Sequence, residues 1–130
     1  MNIESGTHFI ALENGKVIDI SGASEKEKAE AILFEKNGGE NQKFFIDFEV
    51  GWIVNVFSRK ALTYDVKNKK IIQQNYSCLT TQEWRFEQFR EGFIIRSGED
   101  PEVVITEADN SKDLTLKPFN EGKGQIWYLQ

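Results

Sequence analysis

Short apolar runs separated by polar turns recur along the whole chain. In the clearest run, Trp84 and Phe86 share one face of the predicted strand, and Arg85 and Glu87 share the other. This period of two predicts a half-buried β-strand. Each third of the chain holds about four such runs, so the pattern predicts about twelve short strands and an all-β fold.

A repeated glutamine-x-aromatic triplet marks three related copies. The triplets are Gln42-Lys43-Phe44, Gln82-Glu83-Trp84 and Gln125-Ile126-Trp127. Residues 31–42, 71–82 and 114–125 align without a gap, so the spacing is about 40 residues, which is typical of a repeat architecture. The aromatic residue of each triplet heads a row of inward-facing residues, so we expect it to pack in the core.

The length of the chain predicts one domain, residues 1–130, with repeats at approximately 6–48, 49–89 and 90–130. The chain has 130 residues, of which 39% are hydrophobic. No single copy could bury its own apolar face, so the three copies should close into one threefold unit.

The charge pattern argues against several partners. A net charge of −5 disfavours nucleic acids and anionic membranes as partners. No apolar stretch approaches ~20 residues, so we expect no membrane insertion. The charged residues 24–30 interrupt the first copy and predict a solvated loop or a single helical turn, and the basic residues 67–70 in the second copy predict a solvated hairpin turn.

The cysteine content and the N-terminal residues predict a cytoplasmic protein. Cys78 is the single cysteine, so no intrachain disulfide can form. Residues 1–20 contain no continuous apolar run of the kind found in signal peptides. Secretion by a route that needs no signal peptide stays open.

Catalytic signals are weak. His8 is the single histidine and lies in an apolar run, while Cys78 lies in a turn. A Cys–His pair is formally possible, but no spacing favours it. His, Cys and carboxylate residues are not clustered, and no phosphate-binding loop occurs. We therefore expect no enzyme activity, no metal and no cofactor.

The three triplets, in register with apolar strands over residues 6–130, resemble the ricin-B-type (Gln-x-Trp) lectin family. The resemblance implies a β-trefoil, in which three four-stranded repeats share a barrel and a cap of hairpins. It also implies binding of galactose- or N-acetylgalactosamine-containing glycans in a shallow pocket within one repeat. Because one fold hosts many functions, the resemblance in fold does not settle the function.

The family's pocket has counterparts in the first repeat of this chain. The resemblance assigns Asp19 as the hydroxyl acceptor, Phe34 as the stacking ring, and Asn41 and Gln42 as the polar pair, with Asn37 opening the matching loop. Ionised carboxylates form strong hydrogen bonds, rings offer a flat apolar surface, and amides both donate and accept. We therefore predict one sugar site, formed by these five residues.

The other repeats depart from this pattern and are predicted to be structural copies. Their residues at the acid, stacking and amide positions are Thr63, Gln74 and Thr81 in repeat two, and Ile105 or Thr106, Lys117 and Gly124 in repeat three. Asp65 could serve as a shifted acid, but the ring would still be missing.

Structural roles are the alternatives for each site residue. Asp19 could satisfy a turn, Asn41 could cap one, and Phe34 could belong to the core. Only their coincidence in one repeat favours a lectin site. Because a single shallow site binds weakly, a homodimer is compatible with this hypothesis.

Two other functions stay open at this stage. A protein-interaction or protease-inhibitor trefoil could act through loops such as residues 25–30 or 67–70. The three repeats could also form a scaffold within a larger assembly.

Overall fold

The computed structural model describes residues 5–130, so the first four residues of the segment considered for a signal peptide lie outside it. This part of the chain contains short β-strands joined by turns and four single-turn 3₁₀ segments, and no α-helix. The strands are β1 (Gly6–His8), β2 (Ile10–Ala11), β3 (Val17–Ile20), β4 (Ala31–Phe34), β5 (Phe44–Asp47), β6 (Trp52–Asn55), β7 (Ala61–Asp65), β8 (Lys70–Gln74), β9 (Trp84–Phe89), β10 (Gly92–Ser97), β11 (Val103–Glu107), β12 (Leu114–Pro118) and β13 (Tyr128–Leu129).

The first and last strands of each repeat form a closed barrel. β5 pairs with β1 and β6, β9 pairs with β10, and β13 pairs with β2. Two further contacts complete the ring: Trp84 N donates to Gly51 O at 2.8 Å, and Phe93 is bridged to Trp127. The first strand is divided into β1 and β2 because it changes partner from β5 to β13 near Phe9. The described part therefore has thirteen strands where about twelve were predicted.

The second and third strands of each repeat form three hairpins beside the barrel. These hairpins are β3–β4, β7–β8 and β11–β12, and all are antiparallel. They touch one another through isolated bridges, Glu30 to Ile72 and Ile32 to Asp113. A barrel with three hairpins in threefold arrangement is the β-trefoil that the sequence predicted.

The triplet aromatics pack in the core, as predicted. Phe44, Trp84 and Trp127 are at most 1% exposed. The indole nitrogens also reach backbone oxygens: Trp84 Nε1 donates to Leu62 O at 3.0 Å, and Trp127 Nε1 donates to Ile105 O at 3.1 Å. In repeats two and three the tryptophan therefore ties the barrel to its hairpin.

The charged segment of residues 24–30 is exposed, but it is not a free loop. Lys28 N donates to Gln73 O at 2.7 Å, and Gln73 N donates to Ala29 O at 2.9 Å. The Gln73 side chain is fully buried, and its Nε2 donates to the backbone oxygens of Ser24 and Lys26 at 3.0 and 2.8 Å. The segment is therefore fixed along β8 of repeat two, which corrects the expectation of a merely solvated loop.

Candidate functional site

The three triplet glutamines occupy equivalent buried positions and fasten the loop that precedes each of them. All three are at most 1% exposed. In each, Oε1 accepts a backbone N–H at 2.8 Å, and Nε2 donates to a backbone oxygen at 2.8 or 2.9 Å. The pairs of backbone partners are Asn37 N and Glu35 O for Gln42, Ser77 N and Asn75 O for Gln82, and Asn120 N and Pro118 O for Gln125. Buried polar groups need such partners, so these glutamines support the fold.

A second bond from each glutamine reaches the preceding hairpin, and its acceptor differs among the repeats. Gln42 Nε2 donates to Asp19 Oδ2 at 2.9 Å. The corresponding acceptors are Thr63 Oγ1 at 3.2 Å in repeat two and Thr106 Oγ1 at 3.1 Å in repeat three. These bonds identify Thr106, rather than Ile105, as the residue equivalent to Asp19.

Asp19 presents a carboxylate that is only partly used by the protein. It lies in β3 opposite Ile32 and is 4% exposed. Gln42 Nε2 donates to Oδ2, whereas the nearby Asn41 amide, which also favours the ionised form, donates to Ile20 O and leaves Oδ1 without a direct donor among residues 5–130. A carboxylate has room for several donors, so Oδ1 retains capacity to accept a hydrogen bond.

The environment of Asp19 disfavours its charge. Burial raises the pKa of this carboxyl, and the amides of Gln42 and Asn41 offset only part of that effect by lowering it. Removing a carboxylate from water destabilises its ionised form. Repeats two and three avoid this cost because a neutral threonine replaces the acid.

Phe34 lies on the same face of the β3–β4 hairpin as Asp19, at a diagonal position of the register. It ends β4 opposite Val17 and is 51% exposed. The alternative that Phe34 belongs to the core is therefore wrong. Its ring gives repeat one an accessible apolar surface on this face of the hairpin.

Two asparagines complete the loop in front of Gln42. Asn41 Nδ2 donates to Ile20 O at 3.1 Å, and Asn37 Oδ1 accepts from Gly39 N at 2.8 Å. A Cβ atom on Gly39 would lie 2.7 Å from Asn41 Oδ1 and 3.0 Å from Asn37 Oδ1. The glycine thus allows two amide oxygens to converge at this loop.

The structure therefore brings the five predicted residues into one region, but in different roles. Asp19, Phe34, Asn37 and Asn41 lie along the hairpin and the loop, where Phe34 and Asn37 are exposed. Gln42 is fully buried and its amide is taken up by protein groups. Its contribution to the site is to position Asp19.

Repeats two and three do not assemble the same groups. Gln74 and Lys117 stand in place of the ring, as the β-register shows. The shifted acid Asp65 is engaged by Asn68, whose Nδ2 donates to Asp65 Oδ2 at 2.8 Å. Lys117 instead pairs with Asp109 at 3.4 Å.

A cleft of ≈ 880 Å³ opens at the equivalent position of repeat two. Thr63, Gln74 and Thr81 line it, and the fixed segment of residues 24–30 contributes Lys28 and Glu30. The β7–β8 turn supplies further polar lining. Sequence reasoning missed this cleft because its walls come from two repeats.

His8 and Cys78, the two residues of the formally possible Cys–His pair, contact other side chains. The His8 ring lies 6.1 Å from that of Phe48, while Cys78 Sγ donates to Tyr76 Oη at 2.9 Å, so the suggested Cys–His pair is not formed. Within residues 5–130, no three His, Cys, Asp or Glu side chains are grouped to hold a metal ion. In the same range, no helix has the length and apolarity needed to cross a membrane.

Solved structures resemble this chain over nearly its whole length. A designed threefold-symmetric protein, ThreeFoil, is 23% identical with a TM-score of 0.86, over 95% of this chain and 97% of that one. The C-terminal half of an earthworm R-type lectin, solved with N-acetylgalactosamine, is 19% identical with a TM-score of 0.80, over 96% and 98%. The Rhizoctonia solani agglutinin is 16% identical with a TM-score of 0.84, over 99% and 96%.

These similarities show the shared β-trefoil fold. No protein-family model matches the sequence, and no curated protein matches it. At these identities the likeness establishes architecture alone.

Proposed function

We propose that this chain is a lectin with one site, in the first repeat, for galactose- or N-acetylgalactosamine-type glycans. The observation that carries the proposal is a convergence found in repeat one and in neither of the others. There, Asp19 and Phe34 share one face of the β3–β4 hairpin, and hydrogen bonds of Gln42 and Asn41 fasten the loop of Asn37 and Asn41 to that hairpin. The earthworm lectin of the same fold, solved with N-acetylgalactosamine, supports this class of ligand.

Each group has a physical role in this proposal. Asp19 Oδ1 accepts sugar hydroxyls, and charge-assisted bonds of this kind are roughly twice as strong as neutral ones. Phe34 packs its ring against the C–H face of the sugar. The amides of Asn37 and Asn41 supply neutral donors and acceptors at the rim.

A single shallow sugar site of this kind binds weakly. We expect a Kd on the order of 10 µM to 1 mM for a monosaccharide. Multivalent presentation, for example in a homodimer, would raise the effective affinity by avidity.

A glycan array followed by titration with methyl galactoside tests the proposal. Wild-type protein should bind galactose- or N-acetylgalactosamine-terminated glycans. Asp19→Asn should weaken binding by about tenfold or more, because a hydrogen bond to a charged group is lost while the amide still accepts from Gln42.

Asp109→Asn is the matched control, because it also removes one carboxylate and the Asp109 side chain is 99% exposed in repeat three. It should bind the sugar as the wild type does. Unchanged binding by folded Asp19→Asn, or no binding to any glycan by the wild type, would contradict the proposal.

A further inference from the structure

The cleft of repeat two is related to the candidate site by the threefold symmetry, but it has different chemistry. Thr63 and Gln74 replace the carboxylate and the ring, so the cleft lacks the two groups that define the first site. Repeat one also contributes to its lining, because residues 24–30 of that repeat are fixed along β8. We call this region, lined by Lys28, Glu30, residues 63–68, Lys70, Ile72, Gln74 and Thr81, the repeat-two cleft.

The charges of the repeat-two cleft are unequally satisfied. Glu30 pairs with Lys70 at 2.9 Å, so these two charges neutralise each other, whereas Asp65 accepts from the neutral Asn68 amide at 2.8 Å and keeps its negative charge. Lys28 and Lys67 form no ion pair with any residue in the described range 5–130. The side chains that line the cleft therefore carry a net charge of +1, which one carboxylate of a ligand would balance.

The position of Lys28 is set by the backbone. Its φ is 69°, in the left-handed region, and its N–H donates to Gln73 O at 2.7 Å. Gln73 is itself fully buried. The backbone that carries the Lys28 ammonium group is therefore held in place.

Neutral polar groups lie beside these charges. The side chains of Gln74 and Thr81 line the cleft and make no hydrogen bond within residues 5–130. An unused amide and an unused hydroxyl suit a ligand that carries several hydroxyl groups. The volume lies within the range of small-molecule sites, which is roughly 300–1,000 Å³.

An extended acidic peptide fits this cleft less well. Peptides commonly bind by adding a strand to an exposed sheet edge. β8 is the last strand of its sheet, but Lys28 N, Ala29 O and the Glu30–Ile72 bridge already occupy its outer edge. The main-chain bonds that would hold a peptide are therefore taken by the protein itself.

We propose that the repeat-two cleft binds a carboxylate-bearing sugar, of the uronic or sialic acid class. Lys28 and Lys67 neutralise the sugar carboxylate, while Gln74 and Thr81 bond its hydroxyls. This site is separate from the one in repeat one and does not use Asp19.

Titration with methyl glucuronide, and with methyl glucoside as its neutral counterpart, tests this proposal by NMR. The charged sugar should shift signals around the repeat-two cleft and bind at least about tenfold more tightly than the neutral one. The double variant Lys28→Gln/Lys67→Gln should lose about tenfold in affinity for the glucuronide. Raising the salt concentration should weaken that binding in the wild type.

The matched control is Lys26→Gln/Lys69→Gln, which removes two exposed lysines from the same two loops but outside the cleft. It should keep wild-type affinity, and so should Asp19→Asn, which separates this test from that of the first site. Equal binding of the two sugars, no binding of the glucuronide, or an unaffected Lys28→Gln/Lys67→Gln variant would overturn the proposal. So would a hexaglutamate peptide that occupies the cleft more tightly than the glucuronide does.

Discussion

Repeats one and two share a buried triplet glutamine that fastens the loop before it, and they differ in the hairpin residues next to that glutamine. Gln42 and Gln82 are equally buried and bond equivalent backbone groups in their loops. Next to these glutamines, repeat one has Asp19 and Phe34 at the positions where repeat two has Thr63 and Gln74. The comparison teaches that the residues holding the trefoil are distinct from those that would contact a ligand. A repeat can therefore lose or change its ligand chemistry without losing its fold.

The difference also has an energetic side. Burial raises the pKa of Asp19, so repeat one holds an acid in a place that disfavours its charged form. Thr63 satisfies the same glutamine with a neutral hydroxyl at 3.2 Å. Functional sites often retain such locally unfavourable groups, at some cost in stability.

The largest effects are expected from removing the shared support. Gln42→Ala and Gln82→Ala should each lower the free energy of unfolding by about 2–4 kcal/mol, since each leaves buried polar groups unpaired and a cavity behind. Gln42→Ala should also weaken galactoside binding because Asp19 loses its anchor, whereas Gln82→Ala should not. Urea denaturation and galactoside titration measure the two effects.

Gln88→Ala, at an exposed position of β9, is the control for this pair and should change neither quantity. A loss of galactoside binding in folded Gln82→Ala as large as that in Gln42→Ala would show that the site is not confined to repeat one.

A smaller effect is expected at the ring. Phe34→Ala should reduce galactoside affinity by about fivefold, in line with about 1 kcal/mol for a stacking contact. The free energy of unfolding should change little because Phe34 is half exposed. Phe57→Ala, another exposed phenylalanine at 43%, should leave affinity unchanged. Identical galactoside affinity of Phe34→Ala and the wild type would show that the Phe34 ring does not contact the sugar.

The smallest effect is a pH dependence that belongs to Asp19. Because its pKa is raised in the folded state, the folded protein holds this proton more tightly than the unfolded chain does. The resulting destabilisation is fully present above the folded pKa. It fades as the pH falls through that pKa towards the ordinary value of aspartate.

The stability of the wild type relative to Asp19→Asn should therefore rise as the pH is lowered from neutral into the acid range. His8, whose pKa is lowered by burial, acts in the opposite direction but is common to both proteins and cancels in the difference. Galactoside binding should weaken over the same range as the carboxylate becomes protonated. A stability difference that stays constant with pH would contradict the assigned environment of Asp19.

Much of the fold was predictable because the triplets combine a repeat period with strand alternation. The candidate site could also be proposed from the sequence, since Asp19, Phe34 and Asn41 match a known pattern at fixed offsets from Gln42. The burial of Gln42 could not be predicted, because the motif alone does not distinguish a residue that contacts a ligand from one that stabilises the fold. The repeat-two cleft could not be predicted either: residues 24–30 show no periodicity, and Gln73, the side chain that anchors them, looks like an ordinary polar strand residue.

The divided first strand has a consequence for how the molecule folds. β2 pairs with β13, and Phe9 exchanges two backbone bonds of 3.0 Å with Gln130. This seam joins segments more than a hundred residues apart, and closing so long a loop costs conformational entropy before the contacts compensate for it. Folds dominated by such distant pairings form slowly. During synthesis, β2 can pair with β13 only after residues 128–130 have left the ribosome, so the barrel closes after this segment has been translated.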